Sequence, residues 1–207
     1  MTELLIARHG NTFAPGETPL RVGARTDLPL SESGRKQAHT LGHYLKQNYP
    51  DLAHVFTSEL KRTIQMAEIA LTTANFSIPV EALNVFNEID YGPDEAQPEE
   101  AVIARIGQSA IDAWNCDAII PEGWRVNPKA IIDSWQQFAT HIIANYPNQT
   151  VLVITSNGIA RFAPHLLDSP AQFSKKYELK MATGAISEFK FEQNHWQLQR
   201  WNYRPVK

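Results

Sequence analysis

Five consecutive residues, Arg8-His9-Gly10-Asn11-Thr12, carry the side chains best suited to chemistry in this chain. They follow Leu4-Leu5-Ile6-Ala7, a short apolar run of the kind that makes a buried strand. Gly10 lets the backbone turn sharply where that strand ends. In an open parallel sheet, ligands bind outside the carboxyl ends of the strands. A guanidinium placed there can hold an anionic oxygen by two parallel hydrogen bonds. A neutral imidazole beside it can attack phosphorus with a ring nitrogen. The same tripeptide also fits a turn with two surface polar residues, so the reading depends on what else the chain brings nearby.

Three further segments could supply the rest of such a site. His54-Val55-Phe56-Thr57 reads as a strand, and Ser58 caps a helix expected to run to about Leu71. The free amides of a helix N-terminus attract anions, and Arg62 lies one turn in, able to lean back over that end. A surface helix arginine is the alternative. Val80 to Phe86 reads as a short strand ending in Asn87-Glu88-Ile89-Asp90-Tyr91-Gly92. Phosphoryl transfer from an alcohol needs a proton for the departing oxygen, and a carboxyl among phosphate charges favours its protonated form. Glu88 fits that task and Asp90 competes for it; a hydrogen-bonded loop acid is the alternative for both. Thr150 to Thr155 is continuous and β-branched, the clearest strand pattern in the chain, and it ends in Ser156-Asn157-Gly158.

Other elements must position these residues. A loop rich in turn formers, Phe13 to Leu30, carries Arg21 and Arg25, each able to reach a substrate or to sit in solvent. Ser31 caps a helix with Ala38, Leu41 and Leu45 on one face, ended by Pro50. His39 and His43 share a face of it at the spacing of a metal pair, but no third ligand accompanies them. A helix is expected from Ala101 to Trp114, and another from Asn127-Pro128, with Ile131, Ile132, Trp135, Phe138 and Ile142 as its stripe. Trp114 and Trp124 could line a pocket, and core packing is preferred for Trp114. Ile159 to Leu167 looks helical with Pro164 perturbing it. Ala185–Phe191 and Trp196–Tyr203 alternate in polarity and form a closing hairpin.

Composition narrows the class. The chain has 207 residues, 43% hydrophobic and 20% charged, enough for one domain with a full core. A net charge of -3 without a basic run points away from nucleic acid and anionic membrane. The apolar stretches are far short of a bilayer span, and the first residues show no signal-peptide pattern. Cys116 is the one cysteine, which leaves no internal disulfide, and it has no basic neighbour to activate it. These features set the expectation of a cytoplasmic protein.

Arg8 to Thr12 resembles the signature of the histidine phosphatase superfamily, the phosphoglycerate-mutase-like proteins. The block from Ser58 through Arg62 resembles the family's second arginine motif, and Glu88 matches a family glutamate. The resemblance covers the whole chain. It implies an α/β fold: a three-layer α/β/α sandwich with a mostly parallel central sheet, as one domain over residues 1–207. An insertion over the site is expected at about 93–127. It implies a metal-independent phosphomonoester hydrolase working through a phosphohistidine at His9. Arg8 and Arg62 would hold the phosphoryl oxygens and Glu88 would protonate the leaving group. Asn11, Asn157 and Arg21 join Arg8 and Arg62 as substrate contacts. No metal and no cofactor is implied, and the partner is a small phosphorylated substrate or a phosphoprotein. The family carries a second histidine where this chain has Asn157. That departure implies reduced activity and keeps open a phosphate-binding protein with little turnover. A phosphomutase is the other alternative. The chain stops shortly after the final hairpin, which favours the hydrolase. Oligomeric state is left open.

Overall fold

Alternating side-chain directions along the first strand dictate the layering. In β1 (Thr2–Arg8) Leu4 and Ile6 face one side while Leu5 and Ala7 face the other. The computed structural model, which describes residues 1–206, shows both sides buried. α1 (Glu32–Asn48) covers one face and packs Ala38, Leu41 and Leu45 against Leu5 and Ala7. Ser31 caps it as expected, its Oγ accepting from the Gly34 amide at 3.2 Å. β2 (Leu52–Thr57) follows. α2 (Lys61–Ala74) then joins α1 on that face through Met66, Ala67 and Ala70.

Two sequence expectations shift here. Ser58 lies before the helix, not at its cap, because its Oγ is taken by the Leu60 amide and the Thr63 hydroxyl. β3 is only Val80–Ala82, an exposed edge strand, after which Asn84–Phe86 turns in a 3₁₀ bend that carries Phe86 into the core.

The expected helix from Ala101 to Trp114 is two helices, α3 (Glu99–Ile106) and α4 (Gln108–Asp117). They break at Gly107, whose φ of 83° lies outside the helical range. α5 (Pro128–Asn145) starts with Asn127 as N-cap and covers the opposite sheet face with Trp135, Phe138 and Ile142. β4 (Thr150–Thr155) leads into α6 (Asn157–Ala160), which stops early. Pro164 lacks an amide hydrogen to continue it, and Ala163–Leu166 forms a 3₁₀ turn instead. α7 (Pro170–Phe173), β5 (Ile186–Glu192) and β6 (His195–Tyr203) complete the chain, the last two as the expected hairpin.

The sheet order is β3-β2-β4-β1-β5-β6. The first four strands in that order run parallel, and β5 and β6 form an antiparallel edge. The result is a three-layer α/β/α sandwich with a mostly parallel sheet. β4 lies between β2 and β1, with Arg8 level with Thr155 and Thr57 level with Ile154. The segments after β1, β2 and β4 therefore leave the sheet side by side, where ligands bind in such folds. Among the described residues no helix is long and apolar enough to cross a membrane.

Candidate active site

His9 continues β1 by one hydrogen bond, from its amide to the Thr155 carbonyl at 3.0 Å, and is 6% exposed. Its ring Nδ1 lies 2.8 Å from the Gly10 carbonyl oxygen, which can only accept, so Nδ1 carries the proton and Nε2 keeps a lone pair. Burial holds the imidazole well below the ordinary histidine range, reinforced by the Arg62 and Arg8 guanidinium groups. A Cβ at Gly10 would meet the Gly34 backbone, 2.6 Å from its carbonyl oxygen, so only glycine lets this turn dock on α1.

The neighbouring arginines are anchored by main-chain carbonyls. Arg8 donates from Nη1 to the Met181 carbonyl at 2.5 Å. Arg62, fully buried, donates from Nη1 to Thr26 at 2.8 Å and from Nη2 to Gly23 at 3.3 Å. Burial lowers the pKa of both, and the Glu88 carboxylate works against that effect. Arg8 Nε, Arg62 Nε, Arg21 Nε and Arg161 Nη2 are all buried N–H groups without a protein acceptor. Buried donors are normally satisfied, and those of Arg8 and Arg21, which line the cleft, match an anionic ligand.

Glu88 is buried beside them. Its Oε1 accepts from the Ile89 amide at 2.9 Å, and its Oε2 accepts from the Gly158 amide at 3.2 Å and the Tyr91 hydroxyl at 3.4 Å. A side chain at Gly158 would run into the Glu88 carboxylate, which explains the glycine. Asn157 is 8% exposed, and its Oδ1 accepts from the Met181 amide at 2.8 Å. A backbone amide can only donate, so that contact orients the side chain and leaves its NH2 as the free end.

Two lobes of a cleft meet at Arg8. One, of about 460 Å³, includes His9, Asn11 and Thr12. The other, of about 420 Å³, includes Glu88, Tyr91, Asn157, Arg21 and Trp114. The structure thus brings Arg8, His9, Asn11, Arg21, Glu88 and Asn157 to one cleft, with Arg62 buried beneath it. Asn11 spends its side chain on the scaffold, donating to Ser33 and accepting from Thr183. Arg21 is tied to Glu99 and lies over the Tyr91 and Trp124 rings. Asp90 is drawn away by Arg25 and Arg125, which takes both Asp90 and Arg25 out of the cleft. His39 bonds Thr73 on the helix surface, and no cluster of three metal-binding side chains occurs among the described residues. Sequence reasoning missed Tyr91, which lines the cleft, and Arg161, which is buried against Trp114. The only signal for Arg161 was a lone cation in the otherwise apolar run after Asn157.

Residues 4–204 match the model of the histidine phosphatase superfamily (branch 1), and the chain belongs to that family. It is 26% identical over 202 residues to the uncharacterized phosphatase PhoE of Bacillus subtilis, covering 98% of this chain and 95% of that one. It is 32% identical over 130 residues to a Candida albicans phosphoglycerate mutase, covering 62% of this chain but about half of the mutase, 51%. The fold is shared with the mycobacterial glucosyl-3-phosphoglycerate phosphatase in complex with VO3. That comparison gives a TM-score of 0.78 and 23% identity over 97% of this chain and 98% of that one.

Proposed function

We propose that the protein is a metal-independent phosphomonoester hydrolase that works through a phosphohistidine at His9. The observation that carries this reading is the state of His9: neutral, with Nδ1–H engaged by Gly10 and Nε2 free, beside unsatisfied arginine donors. In the first step Nε2 forms a bond to phosphorus while the ester P–O bond breaks. Arg8 and Arg62 neutralise the charge spread over the equatorial oxygens, the task that Mg²⁺ performs in other phosphoryl-transfer sites. Glu88 gives its proton to the leaving oxygen. In the second step the Glu88 carboxylate takes a proton from water as the water oxygen bonds to phosphorus. The N–P bond breaks, and inorganic phosphate and neutral His9 result. Asn157 donates from its NH2 to a phosphoryl oxygen. Residues 93–127 act as the insertion that forms the leaving-group side, and the phosphatases and mutases among its relatives support a small phosphorylated substrate.

A second reading, a phosphate-binding protein with little turnover, is favoured by Asn157, an amide that cannot carry charge. The test is a phosphomonoester screen with and without chelator, beside His9→Ala. Turnover insensitive to chelator, an acid-labile phosphoenzyme and a dead but folded His9→Ala variant are expected. Phosphate binding without turnover on any ester would select the binding protein, and transfer to a second hydroxyl instead of water would select a mutase.

A further inference from the structure

Arg161 carries a permanent charge, yet it is 1% exposed. It follows α6 one helical turn after Asn157. Its Nε donates to the Asn157 carbonyl at 3.4 Å and its Nη1 to the Trp114 carbonyl at 2.5 Å. Its guanidinium carbon sits 3.9 Å from the centre of the Trp114 ring. Nη2 is buried without an acceptor. Both of its hydrogen bonds therefore go to neutral carbonyls, an expensive arrangement for a buried cation unless another charge is meant to face it.

The groups around it are specific. Tyr91 and Glu88 favour its charge, and Arg8 and Arg21 oppose it. Asp117 and His165 line a separate pocket with it. Burial pulls its pKa down to about 10, which leaves it protonated at neutral pH. Trp114 and Asn157, the residues it touches, both line the cleft with Glu88.

We propose that Arg161 is a positioning residue that supplies, from behind Asn157, the positive charge that related sites draw from a second histidine. This rests on the hydrolase reading above. Its Nε–H steadies the Asn157 backbone while Met181 steadies the amide. The pair therefore splits a histidine's two roles: Asn157 donates the hydrogen bond and Arg161 provides the charge. Unlike an imidazole, this charge does not titrate near neutrality.

The probes are orthovanadate, which mimics the transferring phosphoryl group, and p-nitrophenyl phosphate as substrate. Arg161→Gln, shown to be folded by its melting transition, should weaken vanadate binding and lower kcat by about ten-fold or more. Arg161→Lys keeps the charge but not the planar fork stacked on Trp114, so it should retain more activity than Arg161→Gln without reaching the parent. Asn157→His should restore part of the loss in the Arg161→Gln background. The restored activity should fall as pH rises, because it then depends on an imidazolium. A purely structural Arg161 would shift the melting transition without this rescue. Folded Arg161→Gln with parental kcat and vanadate affinity, or a loss that Asn157→His does not restore, would overturn the proposal. If Arg161→Gln does not fold, Arg161→Met, which keeps the apolar packing on Trp114, takes its place: a folded Arg161→Met with parental kcat and vanadate affinity would overturn the proposal. Failure of the hydrolase reading itself is separate, since it would appear as vanadate binding without turnover in the parent or as undiminished turnover in His9→Ala.

Discussion

The two sides of the cleft are held by different kinds of bond. On the strand-end side, functional side chains are fixed by the main chain: His9 by the Gly10 carbonyl, Arg62 by Thr26 and Gly23, and Glu88 by the Ile89 and Gly158 amides. On the side built from residues 93–127, side chains hold one another. Asp94 accepts from Arg105 and from the Trp124 indole at 2.6 Å, Arg21 pairs with Glu99, and Trp114 meets Trp124 edge-on at 5.3 Å. A main-chain frame tolerates little change in what it binds. A side-chain frame can be altered residue by residue.

Substitutions on the two sides should separate along that line. The largest effect is expected for His9→Ala, which should reduce hydrolysis to background and abolish any acid-labile phosphoenzyme with the fold retained. Wild-type turnover in that variant would remove the distinction altogether. Next, Arg62→Ala should weaken phosphate binding by about ten-fold or more, since a charged hydrogen bond in a sheltered site contributes about 1.5–3 kcal/mol. Phosphate titration by calorimetry reads this directly.

Across the cleft, Asp94→Ala should cost stability more than chemistry. Burial alone would raise this carboxyl's pKa, but the bonds from Arg105 and Trp124 outweigh it and hold it below its ordinary value. Removing it strands the buried Trp124 indole N–H, at about 1–3 kcal/mol, measurable by urea denaturation. Its kcat on a small aryl phosphate should remain near parental, and a collapse of kcat there would merge the two sides.

The pH dependence of stability sharpens the same contrast. Folding holds His9 neutral, whereas the unfolded imidazole takes up its proton near pH 6.5. The unfolded chain therefore binds more protons as pH falls below that point. His9's contribution to stability is full above about 6.5 and is lost as pH falls through its lowered folded value. Unfolding free energy should drop more steeply on acidification in the parent than in His9→Ala. The smallest effect is expected for Arg21→Gln, a few-fold rise in KM with kcat unchanged, because Glu99 already shares that charge.

Short-range patterns in the sequence determined a good deal. The continuous apolar run Leu4-Leu5-Ile6-Ala7 marked a buried strand. Ser31 and Asn127 marked helix starts, and Arg8-His9-Gly10 marked a strand end that could bind an anion. Each of these is a relation between residues a few positions apart, where local backbone geometry sets the outcome. The helix break at Gly107 and the early stop of α6 were harder, because Gly and Pro act there against otherwise helical patterns.

Other features arose only from tertiary structure. Placing β4 between β1 and β2 brings Asn157 beside His9. The Met181 amide and carbonyl, held by Asn157 and Arg8, join residues far apart in the chain. Asp90 offered the same carboxylate as Glu88, and Arg25 and Arg125 removed it from contention. Arg161 read as one polar residue in an apolar stretch until Trp114 was folded over it. Hydrogen-bond orientation, burial of charge and the choice between equivalent acids depend on partners that meet only when the sheet and its covering helices are assembled.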